Sequence, residues 1–326
     1  MLGPYTVGVD VGGTKILGGL LDCESGEIIS IVKTSSPPVG ADPIVAAIEE
    51  TIAKVLAAAP GDVAKRVAGI GLGVAGQVDP AQGLLRAAPN LGGGISNVAL
   101  RAPLQARFGV PIALGNDVEV AAIGESHFGA GKGVPLFACV FVGTGIGGAL
   151  MQSGVRFRGA TGSAGEIGHI MVRAGGRMCG CGQRGHLEAY ASRTAIVAMM
   201  REAVEGGEKS SLSNLLLDTS QRVKSKPLSE AVASGDPLAV NTITQAGLHL
   251  GLGLASLINL WNPLRIILGG GVIDRIDLLF KVAAEQARSA ALVVPAGTVE
   301  IVRAALGDNS GMVGAAILAN TPPMRD

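Results

Sequence analysis

Three extended segments open the chain. Residues 5–13 form an apolar run that ends in glycines, residues 16–22 continue extended after a tight turn, and residues 26–34 alternate between apolar and polar side chains. These patterns predict three successive strands. Because no helix follows the glycines, the pattern indicates a strand meander rather than the phosphate loop of a Rossmann domain.

Strands and helices alternate after the proline-rich break SSPPVGADP. The spacing of apolar positions predicts a helix over 44–59, a buried strand over 67–74, a helix over 97–108, a strand over 110–116 and a helix over 117–126. Strands joined by crossover helices are typical of the α/β fold class.

The next block has the same rhythm as the first. It predicts a strand over 136–142, a glycine turn, a strand over 147–152 and a long loop to about residue 187. VDVGGTKILGGL and VFVGTGIGGALM both run from an apolar strand through a Gly/Thr turn into a second apolar, glycine-containing strand. This similarity indicates an internal duplication.

The remaining pattern completes a two-domain chain. It predicts, in order, a helix over 188–204, polar connectors, a helix over 236–260, a strand over 264–272, a helix over 274–292, a strand over 298–303 and a helix over 311–319. The final predicted helix is so apolar that it needs a surface to pack against, and we expect that surface on the first domain. The predicted domains are a small lobe over 1–117, completed by residues from about 306 to 326, and a large lobe over 118–305.

Composition favours a small-molecule ligand. The 26 Lys and Arg balance 26 Asp and Glu, so there is no global field to collect nucleic acid or anionic lipid. Aromatic residues make up 3% of the chain, too few for base-stacking platforms. The uncharged stretches 133–155 and 237–264 contain glycines or polar side chains, which argues against a membrane span. We expect no nucleic-acid partner and no membrane.

The four cysteines do not form a disulfide framework. They lie at positions 23, 139, 179 and 181, and the Cys-x-Cys pair is too close for an unstrained disulfide. A reducing cytoplasm fits this usage, and the N-terminus lacks the pattern of a secretory signal. The sequence therefore predicts a cytoplasmic protein.

The glycine turn after Asp10 has the chemistry of a phosphate site. Gly12 and Gly13 let the backbone approach a ligand, Thr14 and backbone N–H groups can bond phosphate oxygens, and Asp10 can hold Mg²⁺ directly or through water. A plain glycine hairpin explains one such turn equally well. A second, matching turn at Gly143–Gly145 favours a phosphate tail bound by both.

Asp117 directly follows a predicted strand and begins a predicted helix, with Asn116 beside it. Aspartate is a common helix N-cap, and capping alone would explain this position. Two other candidate ligand-binding residues also have structural explanations. Glu188 could simply begin a helix, and Asn90 could be a turn residue after Pro89. Glu166, among glycines and apolar residues with no evident cation, is harder to explain in that way.

These motifs together closely resemble the ROK family of bacterial sugar kinases and repressors. The resemblance is carried by the two glycine turns, Asn116-Asp117, GEIGH at 165–169, CGCGQRGHLE at 179–188 and LGDNSGMVGAA near the end, and it extends from Val7 to about Leu318. It implies a two-lobed, actin-like ATPase fold of the ribonuclease H-like type, with a ligand cleft between the lobes.

The resemblance also implies an activity, the ATP-dependent phosphorylation of a hexose. Glucose, phosphorylated on its 6-hydroxyl in glycolysis, is the preferred substrate; N-acetylmannosamine, N-acetylglucosamine, fructose and allose are alternatives, and polyphosphate is an alternative donor. Family members that act as repressors carry a helix-turn-helix before the kinase-like part, whereas the phosphate strand begins here at Tyr5. An actin-like chaperone ATPase would not need Glu166 or the cysteine loop.

Residue roles follow from the same resemblance. ROK kinases carry their general base at the aspartate of the Asn-Asp pair, here Asp117. The implied sugar-binding residues are Gly76, Asn90, Asn116, Asp117, Glu166, His169 and Glu188. The implied nucleotide-binding residues are Asp10, Gly12, Gly13, Thr14, Lys15, Gly143, Thr144, Gly145, Gly269 and Gly270, with Gly269–Gly271 beneath the adenine and ribose.

The cysteine loop predicts a zinc site. Cys179, Cys181 and His186 supply three ligands and His169 the fourth, which leaves no open position for a reactive water, so the metal would be structural. The ROK pattern has a third cysteine where this chain has His186. The alternative is that zinc binding is lost and His186 faces solvent or sugar.

Two further departures lie beside the expected sugar entrance. The family commonly has proline at Ala75 and an aromatic residue near Gly94, and these differences leave the sugar less defined than the reaction. The apolar helix 237–260 is expected to be buried or to face another subunit, which predicts a homodimer or homotetramer.

Overall fold

A computed structural model describes residues 3–89 and 91–321, and these fall into two compact units. The first unit contains the described residues up to Gly133, the segment Gly154–Arg156, and the described residues from Asp308 onward. The second contains Val134–Ser153 and Phe157–Gly307. The first unit therefore continues past residue 117 and includes the helix that begins there.

The strands run through both units. In chain order they are β1 (Tyr5–Val11), β2 (Lys15–Asp22), β3 (Ile28–Ser35), β4 (Val67–Val74), β5 (Gln77–Asp79), β6 (Leu84–Ala88), β7 (Ile95–Ala99), β8 (Ile112–Asn116), β9 (Leu136–Val142), β10 (Ile146–Gln152), β11 (Val155–Arg156), β12 (Arg265–Gly269) and β13 (Glu300–Arg303).

The α-helices are α1 (Ala41–Ala57), α2 (Arg101–Phe108), α3 (Asp117–Phe128), α4 (Glu188–Ala191), α5 (Arg193–Glu205), α6 (Ser213–Leu217), α7 (Ser225–Ala233), α8 (Pro237–Trp261), α9 (Asp277–Ala290), α10 (Val293–Thr298) and α11 (Ser310–Asn320). Short 3₁₀ turns cover Val63–Arg66, Ile167–His169 and Gly307–Asn309.

The main sheet of the first unit has the strand order β3-β2-β1-β4-β8. β2 pairs antiparallel with β1 and β3, which confirms the predicted meander, while β4 lies parallel to both β1 and β8. A second, antiparallel sheet has the order β5-β6-β7. The parallel strands β1, β4 and β8 bring their carboxyl ends to one edge of the main sheet.

Helix α11 packs directly on the backbone of this sheet, as its apolar sequence predicts. A Cβ atom added at Gly8 of β1 would overlap the carbonyl oxygen of Met312, and one at Gly71 of β4 would overlap that of Ala315. α11 also meets α3, where a Cβ at Gly314 would overlap the carbonyl oxygen of Val120. Glycine is required at these positions because helix and strand backbones approach too closely for a side chain.

The second unit repeats the logic of the first. Its strands pair in the order β10-β9-β12-β13, and β9 is antiparallel to β10 but parallel to β12, just as β1 is antiparallel to β2 and parallel to β4. A glycine turn joins the hairpin strands in both cases. This shared topology supports the internal duplication read from the sequence.

Helix α8 is the central helix of the second unit. Its length and composition would allow it to cross a membrane, but more than half of its most apolar window is buried within the protein. Leu250, Leu254 and Ile258 lie in the main core of this unit, where α8 packs along α9. Leu260, near the end of α8, is 87% exposed. The helix thus serves as a core element of the unit.

Several elements differ from those predicted. The helix predicted over 97–108 begins at Arg101, because residues 95–99 form β7 instead. The helix predicted over 188–204 is broken at Ser192, whose extended backbone ends α4 and whose hydroxyl caps α5. α6 and α7 begin in the predicted polar connectors GGEKSSLSN and TSQRVKSKP and continue past them, and α10 was not predicted. These helices are short, and much of their stability comes from packing.

Replacing Gly71 with alanine tests the contact between β4 and α11. Overpacking a closed core costs about 1–3 kcal/mol or more, so Gly71→Ala should lower the free energy of unfolding by at least that amount. Gly297→Ala is the control, because no atom lies within 4 Å of a Cβ at that position. Urea unfolding followed by circular dichroism measures both, and an unchanged midpoint for Gly71→Ala would contradict this account of the packing.

Candidate functional site

Two aspartates meet at the carboxyl edge of the first unit's main sheet. Asp10 lies near the end of β1, where it pairs with Gly73 of β4, and Gly73 pairs in turn with Gly115 of β8. Asp117 follows two residues later, at the first position of α3. Strand register therefore brings Asp10 and Asp117 close enough for their charges to interact.

Asn116, rather than Asp117, is the N-cap of α3. Its side-chain oxygen accepts hydrogen bonds from the backbone N–H groups of Val118, at 2.9 Å, and Glu119, at 3.4 Å. Its amide nitrogen donates to the carbonyl oxygen of Gly76, at 3.0 Å. The capping explanation of Asp117 is therefore wrong, because the neighbouring asparagine performs that function.

Gly76 has a conformation that favours glycine. Its φ is +148°, and a Cβ there would overlap the carbonyl oxygen of Ala87. Its own carbonyl oxygen receives the Asn116 amide. Gly76 and Asn116 therefore fix the strand-to-helix junction from which the Asp117 carboxylate projects.

Asp10 is a partly buried carboxylate with an altered proton affinity. Burial, followed by the neighbouring charge of Asp117, raises the pKa of Asp10 to about 7, although Lys15 opposes the shift. Lys15 forms an ion pair with Asp308 at 2.9 Å. Gly311, at the start of α11, leaves room for the Asp10 carboxyl, since a Cβ there would lie 2.9 Å from its Cγ. A cation bound at this edge would favour the ionised form of Asp10.

Backbone hydrogen bonds fix the turn that follows Asp10. The N–H of Gly12 donates to the carbonyl of Lys15 at 3.0 Å, and the N–H of Ser36 donates to the carbonyl of Thr14 at 3.3 Å. Gly13 completes the turn, and Thr14 is exposed. The structure thus joins Asp10, this turn and Lys15 in one region of the first unit.

The matching turn of the second unit connects β9 and β10. The N–H of Gly143 donates to the carbonyl of Gly145 at 2.9 Å. The first residues of α5 also contact this turn. The backbone N–H of Arg193 donates to the Gly143 carbonyl at 3.0 Å, and its Nη2 donates to the Thr144 hydroxyl at 2.7 Å. The Thr194 hydroxyl donates to the Thr144 carbonyl at 2.8 Å.

The second glycine cluster lies beside this turn. β12 ends at Gly269, which pairs in register with Phe141 of the parallel strand β9. Gly270 has a φ of +91°, and a Cβ there would lie 2.6 Å from the carbonyl oxygen of Val142. Parallel pairing therefore brings Gly143–Gly145 and Gly269–Gly271 to the same edge of the second unit's sheet.

The 3₁₀ turn Ile167–His169 packs on β10 and positions His169 and its own N-cap, Glu166. Gly148 and Gly168 allow the turn to approach the strand closely, since a Cβ at Gly168 would overlap the carbonyl oxygen of Ile146. The exposed Glu166 carboxylate lies 4.0 Å from His169 Nε2. The imidazole of His169 is therefore a polar neighbour of Glu166.

The four predicted metal ligands come together in space. One nitrogen or sulfur atom from each of His169, Cys179, Cys181 and His186 lies within 4.8 Å of the others. Cys179 Sγ is 3.8 Å from His169 Nδ1, and Cys181 Sγ is 3.2 Å from His186 Nδ1. Two ligands at Zn–S and Zn–N bond lengths around a tetrahedron would be about 3.6 Å apart, so these residues fit a four-coordinate ion.

The chemistry of Cys179 is consistent with a coordinating thiol. Burial is the main cause that raises its pKa to about 11, so the uncoordinated thiol stays protonated near neutral pH. Binding a divalent cation would displace this proton. His169 presents Nδ1 to the cluster and Nε2 toward Glu166, so the same ring can serve both.

Glu188 connects the metal cluster to the glycine turn. Its Oε2 accepts the N–H of Ile146 at 2.8 Å, and a Cβ at Gly145 would overlap the same oxygen. The thiol of Cys179 lies 3.8 Å from its other oxygen. Glu188 is therefore more than a residue that opens α4: it joins the cysteine loop to the turn at Gly143–Gly145.

An aromatic pair anchors the cysteine loop on α8. The Tyr190 ring stacks on His249 with a centroid distance of 4.4 Å and an interplanar angle of 15°. The Tyr190 hydroxyl accepts the backbone N–H of Arg177 at 2.6 Å. Sequence reasoning did not identify this pair, nor Arg193 and Asp308. The sequence position of Arg193 could have indicated a functional role, since this cation lies two residues before an apolar run and close to Glu188.

The site residues read from the sequence thus fall into groups within each unit. The first unit collects Asp10, Gly12, Gly13, Thr14, Lys15, Gly76, Asn116 and Asp117. The second collects Gly143, Thr144, Gly145, Glu166, His169, Cys179, Cys181, His186, Glu188, Gly269 and Gly270. Asn90 lies outside the described residues.

The duplicated α/β architecture, with a glycine turn in each half, defines the actin-like ATPase class of fold. The solved structure of a ROK family glucokinase from Streptomyces griseus, in complex with glucose and AMPPNP, shares this fold with a TM-score of 0.82. The two sequences are 35% identical, and the match covers 97% of this chain and 99% of the other.

The chain belongs to the ROK family, which matches residues 6–322. The glucokinase of Streptomyces coelicolor is 34% identical over 322 residues, covering 97% of this chain and 98% of that protein. The xylose repressor of Bacillus subtilis is 26% identical over 313 residues, which are 95% of this chain and 75% of the repressor. Both kinases and repressors are therefore among its relatives.

The raised pKa of Asp10 predicts a pH-dependent stability difference between the wild type and Asp10→Asn. From about pH 4 to about 7 the unfolded chain has released this proton while the folded chain retains it, so the wild type loses stability relative to the variant. Above about pH 7 the difference should level off.

Urea unfolding at several pH values, without divalent cations, measures this difference. Asp62→Asn is the control, because the Asp62 side chain is 78% exposed and should give a nearly flat profile. A stability difference for Asp10→Asn that does not change between pH 5 and pH 7 would contradict the proposed burial of this carboxyl.

Proposed function

We propose that this protein is an ATP-dependent hexose kinase that transfers the γ-phosphoryl group of ATP to the 6-hydroxyl of glucose, with Asp117 as the general base. The chain is a phosphotransferase of the sugar-kinase class by family and fold. One observation carries the residue assignment: strand register and the Asn116 cap place Asp117 at the first position of α3, where its charge acts on Asp10.

In this reaction the protein contributes mainly positioning and proton transfer. As the sugar hydroxyl oxygen bonds to the γ-phosphorus, the hydroxyl proton passes to the Asp117 carboxylate, and the bond between the γ-phosphorus and the bridging oxygen breaks to release ADP. Asp117 orients the hydroxyl and takes its proton. Asn116, fixed by Gly76 and the first turn of α3, sets the direction of that carboxylate.

The residues that would bind the nucleotide lie on the two glycine turns. Backbone N–H groups and the Thr14 and Thr144 hydroxyls suit phosphate oxygens, and Lys15 supplies a positive charge. Asp10 would hold Mg²⁺, directly or through water, and a bound Mg²⁺ neutralises charge on the phosphates. Gly269 and Gly270 leave space for the adenine and ribose.

Two side chains at the 3₁₀ turn Ile167–His169 are proposed to bind the sugar. Glu166 and His169 Nε2 offer an acceptor and a donor to neighbouring hydroxyl groups, a pattern suited to a hexose. Glu188, Gly76 and Asn116 complete the proposed set of described residues. His169, Cys179, Cys181 and His186 would hold Zn²⁺ as a structural ion, since all four coordination positions are filled by protein.

One assay identifies the sugar and also distinguishes catalysis from sugar sensing. ADP release is measured with glucose, fructose, allose, N-acetylglucosamine and N-acetylmannosamine. Glucose turnover supports the proposal, and turnover of another sugar changes only the substrate. Sugar binding without ADP release with any of them would favour a sensor, the second function indicated by repressors that match 95% of this chain.

Asp117→Asn should abolish most turnover while leaving the fold intact. Loss of a general base lowers kcat by about 100- to 10,000-fold, and the Asn116 cap keeps α3 stable. Coupled ADP-release kinetics and thermal unfolding provide the two measurements. Glu119→Gln is the control on the same first turn, where Glu119 pairs with Arg156. A near-normal kcat for Asp117→Asn would refute its assignment as the base.

Elemental analysis tests the cysteine loop. We expect about one zinc per chain, and we expect Cys181→Ser to lose most of it and to raise KM for the sugar, because the loop carrying His169 and Glu188 loosens. Cys23→Ser, a buried thiol of the first unit, should keep the zinc. Protein prepared without chelators that contains no zinc would overturn the metal assignment.

A further inference from the structure

Arg193 has an unusual position for a surface arginine. It is the first residue of α5, and its Nη2 donates a hydrogen bond to the Thr144 hydroxyl at 2.7 Å. Its backbone N–H holds the Gly143 carbonyl of the same turn. The guanidinium is thereby placed on the turn whose backbone is proposed to bind phosphate.

No carboxylate neutralises this guanidinium among the described residues, since none lies within 4.0 Å of it in an ion pair. Burial, and then the neighbouring positive charge of Arg222, lower the pKa of Arg193. Two cations and partial desolvation make this position electrostatically unfavourable as it stands. A bound anion would relieve both costs.

The chemistry of the turn identifies the class of anion. The planar guanidinium donates several hydrogen bonds in a fork that matches phosphate geometry, and Thr144 holds that fork in place. Arg222 is exposed, and its positive charge acts on Arg193. A polyphosphate chain, with more than one charged group, fits two neighbouring arginines.

We propose that Arg193 binds the terminal phosphoryl groups of the phosphate donor and that Arg222 adds to its positive field. This inference rests on the proposed function, because it assigns a specificity residue to the donor site of the same reaction. It predicts that the contribution of Arg193 depends on the number of phosphates in the ligand and not on the nucleoside or the sugar.

Calorimetric titration with AMP, ADP and AMPPNP tests the proposal on wild type and Arg193→Gln, which removes the charge but keeps an N–H donor for Thr144. AMP affinity should change less than about 2-fold, whereas ADP and AMPPNP affinity should fall about 10- to 100-fold, as expected for hydrogen bonds to charged groups. Inorganic tripolyphosphate should compete with AMPPNP for wild type but not for the variant. In kinetics, KM for ATP should rise while KM for the sugar stays unchanged.

Two further variants keep the result interpretable. Arg222→Gln, at an exposed residue that cannot disturb the fold of the turn, should weaken ADP and AMPPNP binding by a few-fold and leave AMP unchanged. Arg288→Gln makes the same change in net charge at an exposed position of α9 and should alter none of the three affinities.

Equal losses for AMP, ADP and AMPPNP would overturn the proposal, since they would show that Arg193 only shapes the turn. Unchanged affinities would overturn it as well. A wild type that binds AMPPNP in an Arg193-dependent way but phosphorylates no sugar would refute the proposed function alone. A wild type that binds neither AMPPNP nor tripolyphosphate would refute the role of Arg193.

Discussion

The close packing of α11 on the backbone of β1 and β4 is the constraint on which the first unit depends. Gly8 and Gly71 present no side chain at the points of closest approach, where the backbone of the helix contacts the strands directly. Since α11 begins at Ser310, this contact also sets the position of Gly311 against the Asp10 carboxyl. The apolar final helix, the strand glycines and the raised pKa of Asp10 are thus consequences of one arrangement.

The sequence predicted the elements whose pattern is long and local. The β1–β3 meander, the α8 core helix and the repeated glycine hairpins all carry strong periodicity or turn chemistry, and the structure has them. α6 and α10 have five and six residues, too few for a clear apolar period, and the break at Ser192 depends on a single capping hydroxyl. Such features are decided by packing and local hydrogen bonds.

The candidate site shows the same division. The cluster of His169, Cys179, Cys181 and His186 could be predicted, because the four residues lie near one another in the sequence and a single folded loop brings them together. The exchange of roles at Asn116 and Asp117 could not be predicted, since both side chains can cap a helix and only the contact with Gly76 selects one. The ion pair between Lys15 and Asp308 joins opposite ends of the chain and has no local signal.

The histidine at position 186 has an electrostatic rationale in the surroundings of the cluster. Two thiolates and two neutral imidazoles cancel the charge of a divalent zinc ion, whereas three thiolates would leave a net negative charge. Glu188 lies against this loop, 3.8 Å from Cys179 Sγ, and its other oxygen holds the Ile146 N–H. A negative cluster would repel the Glu188 carboxylate and weaken its hold on that backbone N–H. With His186 as a ligand, a bound metal would hold the loop in place without repelling the Glu188 carboxylate beside the glycine turn.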